Sequence, residues 1–311
     1  MYYLVYGFLY VVSLLPMWAL YLISDFVAWL LFDVFNYRYW VIRMNLNLAF
    51  PRKTQKERDE IAYRFARNFT DTFMETIKLF SASDAFIRER MPGDYHVFED
   101  LYKKGLKCQV HMGHNFNWEL GNLSFSLNSS YQMLGVYMPL KNKTMDRIFR
   151  KLRSRTGTIL LPATDMRKSI MPYRDQQYLL GLVADQVPPR PERAFWMDFL
   201  GMPTGFIPGP EKGARAGNIP VVFVNITKEK RGYYYLHATL VTEDPARWPE
   251  GEMTIQYRDF LQRVIRQHPD MWLWSHRRWK KPWKAEYIAQ WIDLLPPPQR
   301  GINPYVSNKS V

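Results

Sequence analysis

A chain of 311 residues can bury a sizeable core, which excludes a small scaffold held by staples and leaves one large domain or a domain with an appendage. Its single cysteine, Cys108, excludes an internal disulfide and fits a reducing compartment. The 42 Lys and Arg against 29 Asp and Glu leave +13, which calls for an anionic partner such as phospholipid headgroups, an acidic carrier protein or nucleic acid.

Residues 2–24 carry no charge, and Asp25 is followed by FVAWLLF, so nearly the whole of residues 1–32 is apolar or aromatic. That length reaches across a bilayer. No Lys or Arg precedes the run and no small-residue cleavage site follows it, so it does not read as a signal peptide. Residues 1–35 are expected to be a membrane-anchoring segment, Pro16 being accommodated as a kink, with a buried helix pair as the alternative. The flank that follows, with Arg38, Arg43, Arg52, Lys53, Lys56, Arg58, Arg64 and Arg67, places the remainder on the cytoplasmic side by the positive-inside tendency.

In residues 56–80, Ile61, Phe65, Phe69, Phe73 and Ile77 recur every four residues and predict a helix with a continuous apolar stripe. Thr54 and Glu57 supply a capping box at its start. A second helix is predicted over 83–90, before Pro92. Strands and helices then alternate: strand 106–112 and a helix to about Asn128; strand 131–138 and basic helix 143–157; strand 158–163 and a helix opened by DMRKSIMPYRD; strand 178–186 and helix 209–218; then strands 219–228 and 233–241 and helix 254–267. This alternation predicts an α/β fold in which helices flank a mostly parallel or mixed central sheet, over a domain of residues 36–295. Sites in such sheets collect at the carboxyl ends of strands, where His114 and Asp185 both fall. MWLWSHRRWKKPWK (271–284) interleaves four tryptophans with five Arg or Lys and reads as a headgroup-layer stripe. A nucleic-acid patch with stacking aromatics is its alternative, disfavoured by the apolar N-terminus. Residues 296–311, beginning PPPQ, are expected to be a disordered tail.

The stretch VHMGHNFNWELG (110–121) draws attention because it crowds two histidines and a carboxylate between apolar runs. A metal reading is weak: His111 lies within the strand, Gly113 breaks any helix between the histidines, and no other ligand cluster is in view. In the acid/base reading, His114 and Glu119 form an H-x-x-x-x-E pair. On one continuous helix five positions would separate them by about 140° and roughly 7.5 Å. If instead His114 sits in the turn and the helix begins near 115–117, Glu119 can reach back to the imidazole, fix its tautomer and leave the other nitrogen to take a proton. The plainer alternative is a capping histidine with Glu119 complementing the helix dipole.

These residues, taken in order with RMNLNLAFP (43–51), VYMPLKNKTMDRIFRKLRSRTG (136–157), ADQ (184–186), FWMDFLGMPTGF (195–206), GPEKGARAGNIPVVF (209–223) and WLWSHRRWKKP (272–282), resemble the bacterial lipid A biosynthesis late acyltransferase family, the lauroyl and myristoyl transferases. The resemblance runs from about residue 4 to residue 284. The forms ADQVPPRPERAFWMDFLG and GPEKGARAG differ from enterobacterial members and resemble a Bacteroidetes-like branch.

The resemblance implies a glycerolipid acyltransferase-like fold with an N-terminal membrane helix, at the bacterial inner membrane with its catalytic domain facing the cytoplasm. It implies transfer of a fatty acyl chain from acyl carrier protein or acyl-CoA to a hydroxyl of a lipid A precursor, without cofactor, metal or nucleic acid. His114 is implied as general base and Glu119 as the acid that orients it. Arg153, with neighbouring Arg155, is implied to hold phosphate or to help the site geometry; Asp185 and Gln186 match a D-Q/H pair, and Asn115 and Glu211 complete the expected substrate contacts. No covalent acyl-enzyme is expected, since Cys108 lies inside a strand and no serine sits in a G-x-S-x-G turn. Two rivals are a lysophospholipid or aminolipid O-acyltransferase with the same chemistry and a non-catalytic membrane-surface binding protein.

Overall fold

A computed structural model describes residues 1–298 and 303–305 of the chain. Helix α1 (Tyr2–Ser13) is followed by α2 (Met17–Ala28), which a π-helical turn extends over Trp29–Val34. Pro16, in extended backbone, separates them, so the single apolar run of the sequence becomes two helices. Met17–Val34, with mean hydropathy 1.6, is the one helix among the described residues long and apolar enough to cross a bilayer.

Helix α3 (Tyr39–Ala49) leads to α4 (Gln55–Lys78), which opens on the expected capping box: the Glu57 carboxylate accepts the Thr54 amide at 2.7 Å while Thr54 Oγ1 accepts the Glu57 amide. The continuous apolar stripe does not persist. Ile61 and Phe65 are buried, but Phe73 is exposed, and Asn68, Asp71, Thr72 and Glu75 take the inward positions of the second half. A repeat of four drifts about 40° per step on a helix of 3.6 residues per turn, so the stripe rotates off the core.

Then come α5 (Asp84–Arg90), α6 (His96–Lys103), β1 (Cys108–Met112), α7 (Trp118–Asn128), β2 (Gln132–Tyr137), α8 (Lys143–Arg153) and β3 (Ile159–Pro162). The helix predicted after β3 is only one turn, α9 (Met166–Ser169), because Pro172 brings no amide donor to continue it. Strand β4 (Tyr178–Val183) and the hairpin β5 (Phe195–Phe199) and β6 (Met202–Phe206) precede α10 (Gly209–Gly217), β7 (Val221–Lys230), β8 (Tyr233–Thr242) and α11 (Glu252–Gln267). Helices α3 and α6 and the hairpin have no counterpart among the predicted elements.

The six-stranded sheet runs β3-β2-β4-β1-β7-β8, parallel except for the antiparallel β7–β8 pair, and helices cover it. The α/β class with a mostly parallel, mixed sheet is thus the one expected. In β1, Cys108 and Val110 on one face and Gln109 and His111 on the other are all buried, as befits a strand enclosed on both sides. Met112 is in register with Val183 of β4. The residues two beyond each, His114 and Asp185, therefore leave the sheet side by side.

The segment after α11 corrects the headgroup-stripe reading of 271–284. Trp272, Trp274, Trp279 and Trp283 are each 3% exposed or less. Trp272 and Trp274 join the main core and Trp283 packs on Trp196 of the hairpin, since large flat rings gain more from burial than from a half-wet boundary. Within the expected tail, Tyr305 is buried and donates to Asn45 Oδ1 at 2.5 Å; residues 299–302 and 306–311 lie outside the described residues.

Candidate active site

The register of β1 and β4 sets the geometry. His114 Nδ1 lies 2.5 Å from Asp185 Oδ1, and the second carboxylate oxygen accepts the His114 backbone amide at 2.8 Å and the Trp272 indole N–H at 2.7 Å. Asp185 is 2% exposed. Burial alone would raise its pKa, but the His114 charge and these donors outweigh it and hold the carboxyl at about 2. The carboxylate is thus ionised and aimed at the imidazole.

On the other side of the ring, Gln186 Nε2 stands 3.1 Å from His114 Nε2. With the amide as donor, Nε2 is the accepting nitrogen and Nδ1 carries the proton toward Asp185. The His114 side chain is 23% exposed, so a basic nitrogen fixed from behind is reachable from outside. Trp118 packs its indole edge-on to the imidazole, ring centres 5.9 Å apart.

The backbone permits this closeness because residue 113 is glycine. A Cβ there would come within 2.8 Å of Leu261 Cδ2 and 3.2 Å of Asp185 Oδ2. The turn is strapped from the far end of the chain: the Phe116 amide donates to the Met271 carbonyl at 3.2 Å, and Asn115 bridges Trp272. The amides of 114 and 116 are therefore already engaged, which removes both from the oxyanion donors that a free turn would offer.

Glu119 corrects the expected pairing. Asn117 caps α7, so Glu119 falls in its first turn and faces α8 rather than the strand end. Its carboxylate takes Arg153 Nε at 2.9 Å and Nη2 at 2.5 Å, a bidentate pair nearly closed to solvent on the glutamate side. His114 thus has Asp185, from 71 residues downstream, where the spacing pattern pointed to Glu119.

Other expected contacts have other partners. The Arg155 guanidinium is taken up by the carbonyls of Leu79 and Ala82, which close the end of α4. Glu211 is buried and caps α11, accepting the Gly251 amide at 2.5 Å and the Thr254 amide at 3.0 Å. Asn115 is buried beside the histidine, and its Nδ2 has no hydrogen-bond partner among the described residues. His111 accepts from Gln109 Nε2 at 2.7 Å, and burial pushes its imidazole down to about 3, so it is a neutral core histidine that does not converge with His114.

Sequence reasoning missed Trp272 as a partner of Asp185. The only signal for it was its place in WLWSHRRW. In the same segment Arg278 is buried, donates to the Gly205 carbonyl at 2.8 Å and lies over the Phe206 ring; burial lowers its pKa to about 10, against the support of the Asp185 charge.

The family of bacterial lipid A biosynthesis acyltransferases matches residues 1–281, nine-tenths of the chain and every residue of this site. The chain belongs to that family. A comparison with individually curated proteins returns no match. The acyltransferase therefore acts on a lipid substrate with an acyl donor, in lipid A biosynthesis. Its apolar Met17–Val34 helix agrees with the membrane association of the family.

Proposed function

We propose that this acyltransferase moves a fatty acyl chain from acyl carrier protein or acyl-CoA to a hydroxyl of a lipid A precursor, at the cytoplasmic face of the inner membrane. The observation that carries the mechanism is the His114–Asp185 contact, with Nε2 turned outward. His114 Nε2 takes the proton of the acceptor hydroxyl while its oxygen attacks the thioester carbonyl carbon. The tetrahedral adduct collapses with cleavage of the C–S bond, and the imidazolium returns the proton to the departing thiolate. Asp185 keeps Nδ1 protonated and stabilises the imidazolium between the two transfers.

Gln186 occupies the space against Nε2 that the acceptor hydroxyl must enter. Its amide N–H then passes to the thioester oxygen, where negative charge develops. Arg153, fixed by Glu119 at the end of the basic helix α8, meets a phosphate of the acceptor together with Arg150. The +13 charge suits both an acidic carrier protein and a phosphorylated lipid.

The test is acyl transfer by detergent-solubilised protein from a panel of acyl carrier protein and acyl-CoA donors to lipid A precursors and lysophospholipids, with His114→Ala alongside. Transfer to the precursor that vanishes in the variant is expected. Transfer to lysophospholipid alone would keep the chemistry and overturn the acceptor. Transfer that survives in His114→Ala would overturn the base.

A further inference from the structure

The N-terminal helices expose large apolar side chains in stripes. On α2 and its extension, Trp18, Leu22, Phe26 and Trp29 follow one another by four, four and three residues and are each more than half exposed; on α1, Leu4, Phe8 and Val11, spaced by four and three, and the neighbouring Tyr3 are also more than half exposed. The length and composition of Met17–Val34 alone permit a crossing. Its partners do not.

The face of α2 turned to the protein buries Leu20, Ser24 and Ala28, and polar groups on it and along its flank are engaged. Tyr21 donates to Glu75 at 2.9 Å, Ser24 to Asp71 at 2.8 Å, and Asp25 pairs with Arg67 at 2.8 Å and Arg231 at 2.7 Å. Arg231 also holds Asp71, and the turn it shares with Gly232 sits so close to α2 that a Cβ on Gly232 would lie 2.1 Å from Tyr21 Oη. Asp25 is at the centre of Met17–Val34. A bilayer drawn round that helix would have to enclose α4, its partly exposed Arg67 and the tip of the β7–β8 hairpin, at a cost of several kcal/mol for each charge.

The corner between the helices is held in the same way. Lys78 Nζ donates to the carbonyls of Ser13 and Leu15, both at 3.0 Å, and Ser81 Oγ to Ser13 at 2.8 Å. A lysine head at mid-run prevents α1 and α2 from acting as one long span. Helix α1, about 18 Å long, is too short to cross alone. It rests on basic α8, where Arg147 lies 4.1 Å from the centre of the Tyr2 ring and Lys151 Nζ 4.2 Å from that of Tyr6.

We infer that α1 and α2 do not cross the membrane but lie in the plane of one leaflet, their aromatic and aliphatic stripes sunk among the acyl chains and Arg147 and Lys151 among anionic headgroups. Aromatic rings at the rim, basic groups beside them and a charged opposite face are what an interfacial helix needs. The catalytic domain then rests against the leaflet that contains the acceptor. This placement uses no step of the acyl-transfer chemistry and stands or falls separately from it.

The experiment is nitroxide depth measurement on the full chain in vesicles of phosphatidylethanolamine and phosphatidylglycerol. Trp18, Leu22, Phe26 and Trp29 are changed singly to cysteine; Cys108 is buried, and the unchanged chain serves as the labelling blank. Relaxation by oxygen and by a soluble nickel chelate gives each depth. An in-plane helix puts all four labels within about 10 Å of the phosphates of one leaflet. A crossing helix separates residues 18 and 29 by about 16 Å in depth, and that gradient would overturn the inference. Labels shielded equally in lipid-free micelles, with the protein sedimenting as a dimer, would assign the stripes to a second copy and overturn it too. Flotation with these vesicles should weaken roughly tenfold in the Arg147→Glu, Lys151→Glu double variant; unchanged flotation would remove the headgroup contact.

Discussion

Two buried carboxylates, each 2% exposed or less, anchor two polar networks of opposite character. Asp71 is enclosed by Ser24, Lys228 at 3.2 Å and Arg231 at 2.7 Å, and the surplus positive charge of Arg231 passes on to Asp25. Its charges pair with one another, from Asp71 through Arg231 to Asp25 and on to Arg67. Asp185 instead holds a histidine whose second nitrogen points out of the network toward the Gln186 amide and solvent. Buried charge by itself marks a fold that needs bracing; buried charge that leaves one atom to the outside marks where chemistry can happen.

Four substitutions and titrations would break or sharpen that contrast. The largest effect belongs to His114→Ala, which should lower acyl transfer by about 10² to 10⁴ while the protein stays folded, its stability lowered by about 1–2 kcal/mol for the lost Asp185 contact. Asp71→Ala should do the converse: about 3 kcal/mol of stability lost, toward the low end for a broken buried pair because Lys228 and Arg231 are partly wet. Chemical denaturation should show it, with kcat per folded molecule preserved. Equal damage to kcat in both variants would erase the distinction.

Acid should separate them next. The Asp185 carboxyl is held at about 2, below its unfolded value, so the stability it contributes is complete above pH 4 and is lost as pH falls from 4 toward 2. Over that window the unchanged protein should lose about 2 kcal/mol more than Asp185→Asn. Melting curves that fall in parallel would contradict the assignment. The smallest effect is Trp272→Phe, which removes one donor from Asp185 and keeps the ring. A loss of about 1 kcal/mol in stability and a kcat reduced with KM unchanged are expected.

Much of this fold can be read in the sequence because its cues are local. The Thr54–Glu57 capping box, the alternation of strands with helices and the short apolar run of β1 each follow from a few neighbouring residues. The site was half legible. His114 is visible at the end of its strand, but the local pattern offers Glu119 as its partner. Which strands lie side by side depends on where the chain crosses over, and β4 inserts between β1 and β2. No local pattern announces that insertion, although ADQ at the end of an apolar strand was in plain view. The tryptophans of 271–284 misled for a related reason: composition says a ring prefers an apolar place, not whether that place is lipid or core.

The place of β1 in the sheet has one further consequence. It is bonded to β4 on one side and β7 on the other, among the most enclosed strands of the molecule. Amide hydrogens in such strands exchange only when the whole domain opens. His114, two residues past the end of β1, is thus tethered to the part of the chain that frays last. Heating should therefore extinguish activity and the cooperative loss of the sheet at the same temperature, whatever the N-terminal helices do beforehand.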